Sequence, residues 1–284
     1  MRIAISKTAE PQAAPYLYRE KFLDSKSVTV NLHYRIEGTG RRLCLLHPVG
    51  LDLTCFDALA AELVPDFQVL RVDLRGHGAS PQAIDNPSPT LADFAADVHS
   101  LLTVLDFLPT AVAGFSFGGM VVQELALHSP SDVNALIVSA CGCTLTQETR
   151  DTLRDRGVAA ERAGMASLLD STMERWFSPA FRANGLDASI RQRLLDDNVE
   201  AWKQTWNAIA ELDTELRLQN VRVPTLCLAA EKDLSAPPAA VKRVADRIDG
   251  ARLEVIQNQP HMLFIEAPVE VAIVIRRFLM GVLP

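Results

Sequence analysis

The run Gly114-Phe115-Ser116-Phe117-Gly118-Gly119 follows a short apolar stretch, Ala111 to Ala113, and opens a helical pattern. Glycines two places to either side of a serine fit a strand-to-helix turn so tight that a Cβ at those places would meet neighbouring backbone. A serine held that way stands at the sheet edge, where the N-terminal N–H groups of the following helix favour negative charge. Ser116 is therefore the candidate nucleophile; the competing reading is a turn with no chemistry.

A serine hydroxyl attacks only when a base takes its proton, and the base in turn needs an orienting group. Six histidines are available. His261 lies in Asn258-Gln259-Pro260-His261-Met262, a loop after the last strand-like run and just before the final helix. Loops of that kind are where a sheet enzyme presents side chains, so His261 is the candidate base. His33 is assigned to a hairpin strand, His99 to an exposed helix face and His128 to a helix end, each with a structural role. His77, in Asp73-Leu74-Arg75-Gly76-His77-Gly78, shapes a loop in which Asp73 and Arg75 are expected to form an ion pair.

The orienting carboxylate is sought beyond another strand and before the histidine. Leu226 to Ala230 ends in Glu231-Lys232-Asp233, and two carboxylates compete. Asp233 is preferred because it lies farther into the loop, while Glu231 belongs to the strand exit. An oxyanion needs two preorganised donors. Phe117, the residue after the serine, offers one N–H. The second is sought in His47-Pro48-Val49-Gly50, where Pro48 has no N–H and Val49 remains. Alone, that loop reads equally well as a chain reversal.

These groups need a frame. The runs Leu43 to Leu46, Val69 to Val72, Ala111 to Ala113, Val133 to Val138, Thr225 to Ala229 and Leu253 to Ile256 have the length and apolarity of strands buried on both faces. Helical patterns separate them. After Thr90, residues Leu91, Phe94, Val98, Leu101, Leu102 and Leu105 share one 3.6-residue face, and Thr90 with Asp93 forms a capping signature. Further helices are read over Gly118 to His128, Pro237 to Ile248 and Pro268 to Leu279. Alternation of this kind specifies an α/β fold with a mostly parallel sheet.

The alternation stops between Cys143 and Asn220, where charged helical stretches occur without a strand. The expected organisation is an α/β core over 1–142 and 221–284 with a helical cap over 143–220. The plainer alternative is a helical bundle on one sheet face.

At 284 residues, 48% apolar and 22% charged, with a net charge of −7, the chain reads as a soluble globular protein. No block of Lys or Arg suggests a nucleic-acid partner, and no apolar run reaches the ~18 residues of a membrane span. Five cysteines cannot all pair. Reduced thiols and a cytoplasmic location are expected, since the first sixteen residues lack the apolar core and cleavage site of a secretory signal. The pair Cys141-Gly142-Cys143 has no second pair to complete a zinc site, and no Gly-rich dinucleotide fingerprint occurs. Neither a metal nor an organic cofactor is expected.

The ordered set of His47 to Gly50, Asp73 to Gly78, Gly114 to Gly119, Asp233 and His261 resembles the α/β-hydrolase fold family over roughly residues 28 to 282. Within it the chain looks like the 3-oxoadipate enol-lactonases: Ala163-Gly164-Met165, Glu174 to Arg182 and Arg222-Val223-Pro224-Thr225 are similar to stretches of those enzymes. It departs from them at His47-Pro48, where they commonly carry Asn-Ser, at Cys55-Phe56, and at Leu153, which takes the place of a tryptophan. Arg156 matches an arginine.

The resemblance implies acyl transfer on an ester or lactone by Ser116, His261 and Asp233, with Val49 and Phe117 as oxyanion donors, in a setting of aromatic compound catabolism. Arg156 is the candidate to read a substrate carboxylate, the other cap arginines (150, 154, 162, 175 and 182) being solvated charges, and Trp176 to wall the pocket. Other readings are a C–C bond hydrolase or an acyltransferase or perhydrolase on the same fold, and a ligand-binding receptor without turnover.

Overall fold

The apolar runs meet in one seven-stranded sheet. The computed structural model describes residues 31–82 and 86–283; the N-terminal segment read above for a leader lies outside them. The strands are β1 (Tyr34–Glu37), β2 (Arg41–Leu46), β3 (Phe67–Val72), β4 (Thr110–Phe115), β5 (Val133–Ser139), β6 (Thr225–Ala230) and β7 (Arg252–Ile256), in spatial order β1-β3-β2-β4-β5-β6-β7. All pairings are parallel except β1 with β3. Strands β4 and β6 are buried at every position, which explains their unbroken apolar sequence.

The core helices are α1 (Asp57–Leu63), α2 (Leu91–Val104), α3 (Phe117–His128), then, after the segment described next, α9 (Pro238–Ala245), α10 (Leu263–Glu266) and α11 (Pro268–Val282). Helix α2 begins where the sequence signals: the Thr90 hydroxyl accepts from Asp93 N–H while the Asp93 carboxylate accepts from Thr90 N–H.

Between β5 and β6 lie α4 (Gln147–Ala163), α5 (Leu169–Trp176), α6 (Pro179–Ala183), α7 (Ala188–Leu195) and α8 (Val199–Ala210). An isolated antiparallel bridge, Thr144 to Asp213, brings the two ends of this segment together. Its last helix reaches the strand-end loops: a Cβ on Gly50 would lie 2.6 Å from the Trp202 ring, and one on Gly76 2.8 Å from Ala201 Cβ.

Two local expectations are corrected. His33 precedes β1 and no hairpin forms, because both edges of β2 are taken by β3 and β4. Its Nδ1 lies 2.7 Å from Asp73 Oδ2. Asp73 also accepts from the N–H of Leu53 at 2.6 Å and of Ala79 at 2.9 Å, so it does not pair with Arg75. Arg75 instead forms a two-point ion pair with Asp97 on α2. The other two histidines also have partners: His99 Nε2 lies 2.8 Å from Asp132 Oδ2, and His128 Nδ1 lies 2.9 Å from Glu124 O.

Candidate active site

The turn between β4 and α3 places Ser116 at φ 53° and ψ −114°, a left-handed backbone that a serine adopts only under constraint. The constraint is crowding. A Cβ on Gly114 would lie 2.0 Å from Gly118 O, and one on Gly118 2.2 Å from Leu46 O, so both positions require glycine. Ser116 N–H donates to Ser139 O at 2.8 Å, tying the turn to the end of β5. The side chain is half-buried and faces the loop after β7.

That loop carries His261. Its Nε2 lies 2.9 Å from Ser116 Oγ and its Nδ1 2.7 Å from Asp233 Oδ2, so one tautomer serves both bonds: Nδ1–H donates to Asp233 and the Ser116 hydroxyl donates to Nε2. The three side chains come from three loops at the carboxyl ends of β4, β6 and β7. The imidazole and carboxylate are almost wholly buried. The other Asp233 oxygen, Oδ1, accepts the N–H groups of Ser235 at 2.7 Å and Ala236 at 2.8 Å, so both oxygens are engaged and the carboxylate cannot swing. Glu231, the competing acid, accepts Asn258 N–H at 2.8 Å and holds the loop backbone instead.

Phe117 opens α3, and a first-turn N–H has no acceptor within its own helix. Its ring is wedged between Phe94, edge-on at 4.9 Å, and His77, stacked at 5.9 Å. Val49 sits buried in the loop after β2. Sequence reasoning passed over what fixes that loop: His47 is fully buried, with Nδ1–H donating to Pro48 O at 2.7 Å and Nε2 accepting Leu74 N–H at 2.9 Å. Burial, reinforced by the neighbouring His77, lowers the His47 imidazole to about 4. The ring is therefore neutral, as the two bonds demand. The sequence signal available was an imidazole immediately before Pro48.

From the helical segment, Trp176 is buried with its ring 6.5 Å from that of His261. Arg156 comes from α4. Its Nη2 donates to Thr172 Oγ1 at 2.8 Å and its guanidinium carbon lies 4.8 Å from the Trp206 ring centre. It pairs with no carboxylate among the described residues, and its Nε, like the indole Nε1 of Trp206, is a buried donor without an acceptor. Burial, with help from Arg175, lowers the Arg156 guanidinium to about 10. Thr172 stands one turn before Trp176 on α5, so the two share a face. Arg150 and Arg175 are not free charges: Arg150 donates to the carbonyls of Ala210 and Leu212, and Arg175 to Leu234 O at 3.1 Å. Arg154 pairs with Asp151 and Glu211.

A parallel sheet with a serine turn after one central strand, and acid and histidine loops after two later ones, defines an α/β-hydrolase. Residues 45–274 match the model of the alpha/beta hydrolase family, and the chain belongs to that family. Among curated relatives it is 26% identical to 3-oxoadipate enol-lactonase 2 of Acinetobacter baylyi, over 84% of this chain and 89% of the relative. Among solved structures, the enol-lactonase from Burkholderia xenovorans superposes with a TM-score of 0.82 at 28% identity, covering 88% of this chain and 96% of that one. A thermophilic esterase from Thermogutta terrifontis, solved with malate bound, superposes with a TM-score of 0.83 at 25% identity, covering 95% and 99%. No helix of the described residues is long and apolar enough to cross a membrane.

Proposed function

We propose that this protein is a serine hydrolase of small carboxylic esters or lactones, similar to the enol-lactonases, with Ser116 as nucleophile, His261 as general base and Asp233 as its orienting carboxylate. The observation that carries the reading is the unbroken line from the Ser116 hydroxyl through the imidazole to the Asp233 carboxylate, at 2.9 and 2.7 Å.

His261 Nε2 takes the hydroxyl proton as Ser116 Oγ bonds to the carbonyl carbon, and the oxyanion that forms is held by the N–H groups of Val49 and Phe117. The tetrahedral intermediate collapses by breaking the bond to the leaving oxygen, which receives the proton from His261. Water, deprotonated by the same imidazole, then attacks the acyl-enzyme; the carboxylic acid leaves and Ser116 regains its proton. In a lactone the leaving alcohol stays tethered to the acyl group, so a closely fitting roof matters.

We assign that roof to residues 143–220, with Trp176 as a wall beside His261. We further propose that the substrate carries a carboxylate received by Arg156. Two observations support this: among the described residues the Arg156 guanidinium has no acidic partner, and its Nε and the indole Nε1 of Trp206, whose ring centre lies 4.8 Å from the guanidinium carbon, are both buried donors without an acceptor. A cluster of buried donors with no acceptor suits a planar anion. Five free thiols fit a reducing compartment, and we place the protein in the cytoplasm.

Hydrolysis of a panel of enol-lactones, saturated lactones and aryl esters by wild type and Ser116→Ala tests the reading. Turnover by wild type and a loss of about 10³-fold or more in the variant, with unchanged circular dichroism, is expected. Equal turnover by both proteins would remove Ser116 from the mechanism.

A further inference from the structure

The loop carrying His261 is anchored on its two sides by different parts of the molecule. Upstream the anchors come from the loop that follows β6: Lys232 N–H donates to Gln259 O at 2.9 Å, and Asn258 N–H to Glu231 Oε2 at 2.8 Å. Downstream they come from the helical segment. Met262 N–H donates to Trp176 O at 3.1 Å. Four residues on, Glu266 at the end of α10 accepts both polar hydrogens of one serine, Ser178 N–H on Oε1 at 2.7 Å and Ser178 O–H on Oε2 at 2.6 Å.

Residues 176–178 run from the end of α5 to the start of α6, with Phe177 and Ser178 extended. Ser178 caps α6 as well, its Oγ accepting Phe181 N–H at 3.2 Å. One carboxylate thus fastens the junction of two roof helices to the helix that follows the histidine. The same junction supplies the carbonyl that fixes the peptide plane between His261 and Met262. A peptide is planar, so holding Met262 N–H fixes the plane that contains His261 Cα and narrows the directions its side chain can take. Hydrogen-bond reach to Ser116 tolerates little error, and a displacement of about 1 Å at a reacting pair costs on the order of 10²-fold.

We propose that Glu266 is a positioning residue: by clasping Ser178 it seats the Trp176 carbonyl on Met262 and holds the imidazole in line with Ser116. Seating of this edge of the roof and alignment of the base are then one event, and substrate enters elsewhere. The proposal rests on the reading of Ser116, His261 and Asp233 as the reacting set.

The test compares Glu266→Ala, Glu266→Gln and Ser178→Ala with wild type by three readouts. These are the rate of Ser116 labelling by a fluorophosphonate, kcat and KM on an aryl ester, and the downfield proton resonance of the His261 Nδ1–H bond to Asp233. Glu266→Ala is expected to slow labelling and kcat about 10- to 100-fold with KM within about threefold, and to broaden or lose the resonance. Glu266→Gln should stay within about threefold, because its amide oxygen still accepts Ser178 N–H while its NH₂ donates to Ser178 Oγ. Ser178→Ala should fall between, and adding it to Glu266→Ala should cost nothing more.

Wild-type labelling and an intact resonance in Glu266→Ala would overturn the proposal. So would losses that only follow a lowered melting temperature and vanish on cooling. A wild type that resists the phosphonate would count against the hydrolase reading itself, and the resonance would then decide the positioning role alone.

Discussion

Asp233 Oδ2 lies 2.7 Å from His261 Nδ1, while Oδ1 is held by two backbone N–H groups of the following turn. The carboxylate is thus aimed by its own loop before it aims the imidazole. Asp233→Asn would preserve the shape and invert the tautomer, because an amide N–H facing Nδ1 forces the proton onto Nε2. A fall in kcat of about 10³- to 10⁴-fold is expected, against less than about tenfold for Glu231→Gln. Steady-state rates of the two variants on one aryl ester distinguish them; the reverse ranking would hand the role to Glu231.

Removing the Arg156 charge should act on anionic substrates alone. Arg156→Met keeps length and packing but loses a charge-assisted hydrogen bond worth roughly 1.5–3 kcal/mol. KM for a carboxylate-bearing lactone should rise about 10- to 100-fold, with neutral esters changed less than about threefold. A uniform rise across both substrate types would reduce Arg156 to a packing element of the roof.

The buried His47 makes stability depend on pH. Folded, its imidazole takes a proton only at about 4, whereas an unfolded histidine does so near 6.5. Between those values the unfolded chain binds more protons, so stability is greatest above pH 6.5 and falls as pH drops toward 4, by ~3 kcal/mol from this group when complete. His77, lowered in the same direction by burial, adds to the trend. Urea midpoints should drop from pH 7.5 to pH 5 and drop less in His47→Gln. A wild-type midpoint that rises on acidification would contradict the assignment.

The serine turn should tolerate no side chain at its glycines. Gly118→Ala would drive a methyl to 2.2 Å from the Leu46 carbonyl, with backbone on both sides of the clash, and a loss above about 3 kcal/mol is expected. Gly281→Ala, in α11 with nothing near the added methyl, should instead stabilise by up to ~1 kcal/mol. Thermal melts of the two variants check both signs.

The parts of the fold visible in the sequence were those set by local rules. Strands buried on both faces show as unbroken apolar runs, and the Thr90 and Asp93 pair declares the start of α2. Ser116 and His261 could be singled out because a tight turn and a loop before the last helix leave local traces. What escaped depends on partners distant in sequence. Arg75 finds Asp97 rather than Asp73, since Asp73 is already committed to His33 and two backbone amides. The clasp of Ser178 by Glu266 spans 88 positions and leaves no pattern in either segment. Trp206 and Thr172 join Arg156 only when α4, α5 and α8 pack together.

The central claim is that Ser116 Oγ carries the acyl group during turnover. Rapid acid quench of the protein with an activated aryl ester, followed by intact mass measurement and peptide mapping, tests it directly. An adduct of the acyl mass on the peptide containing Ser116, formed within the first turnover and absent from Ser116→Ala, is the expected result. Product release by wild type with no adduct at Ser116 on any timescale, at a rate matched by Ser116→Ala, would contradict the account.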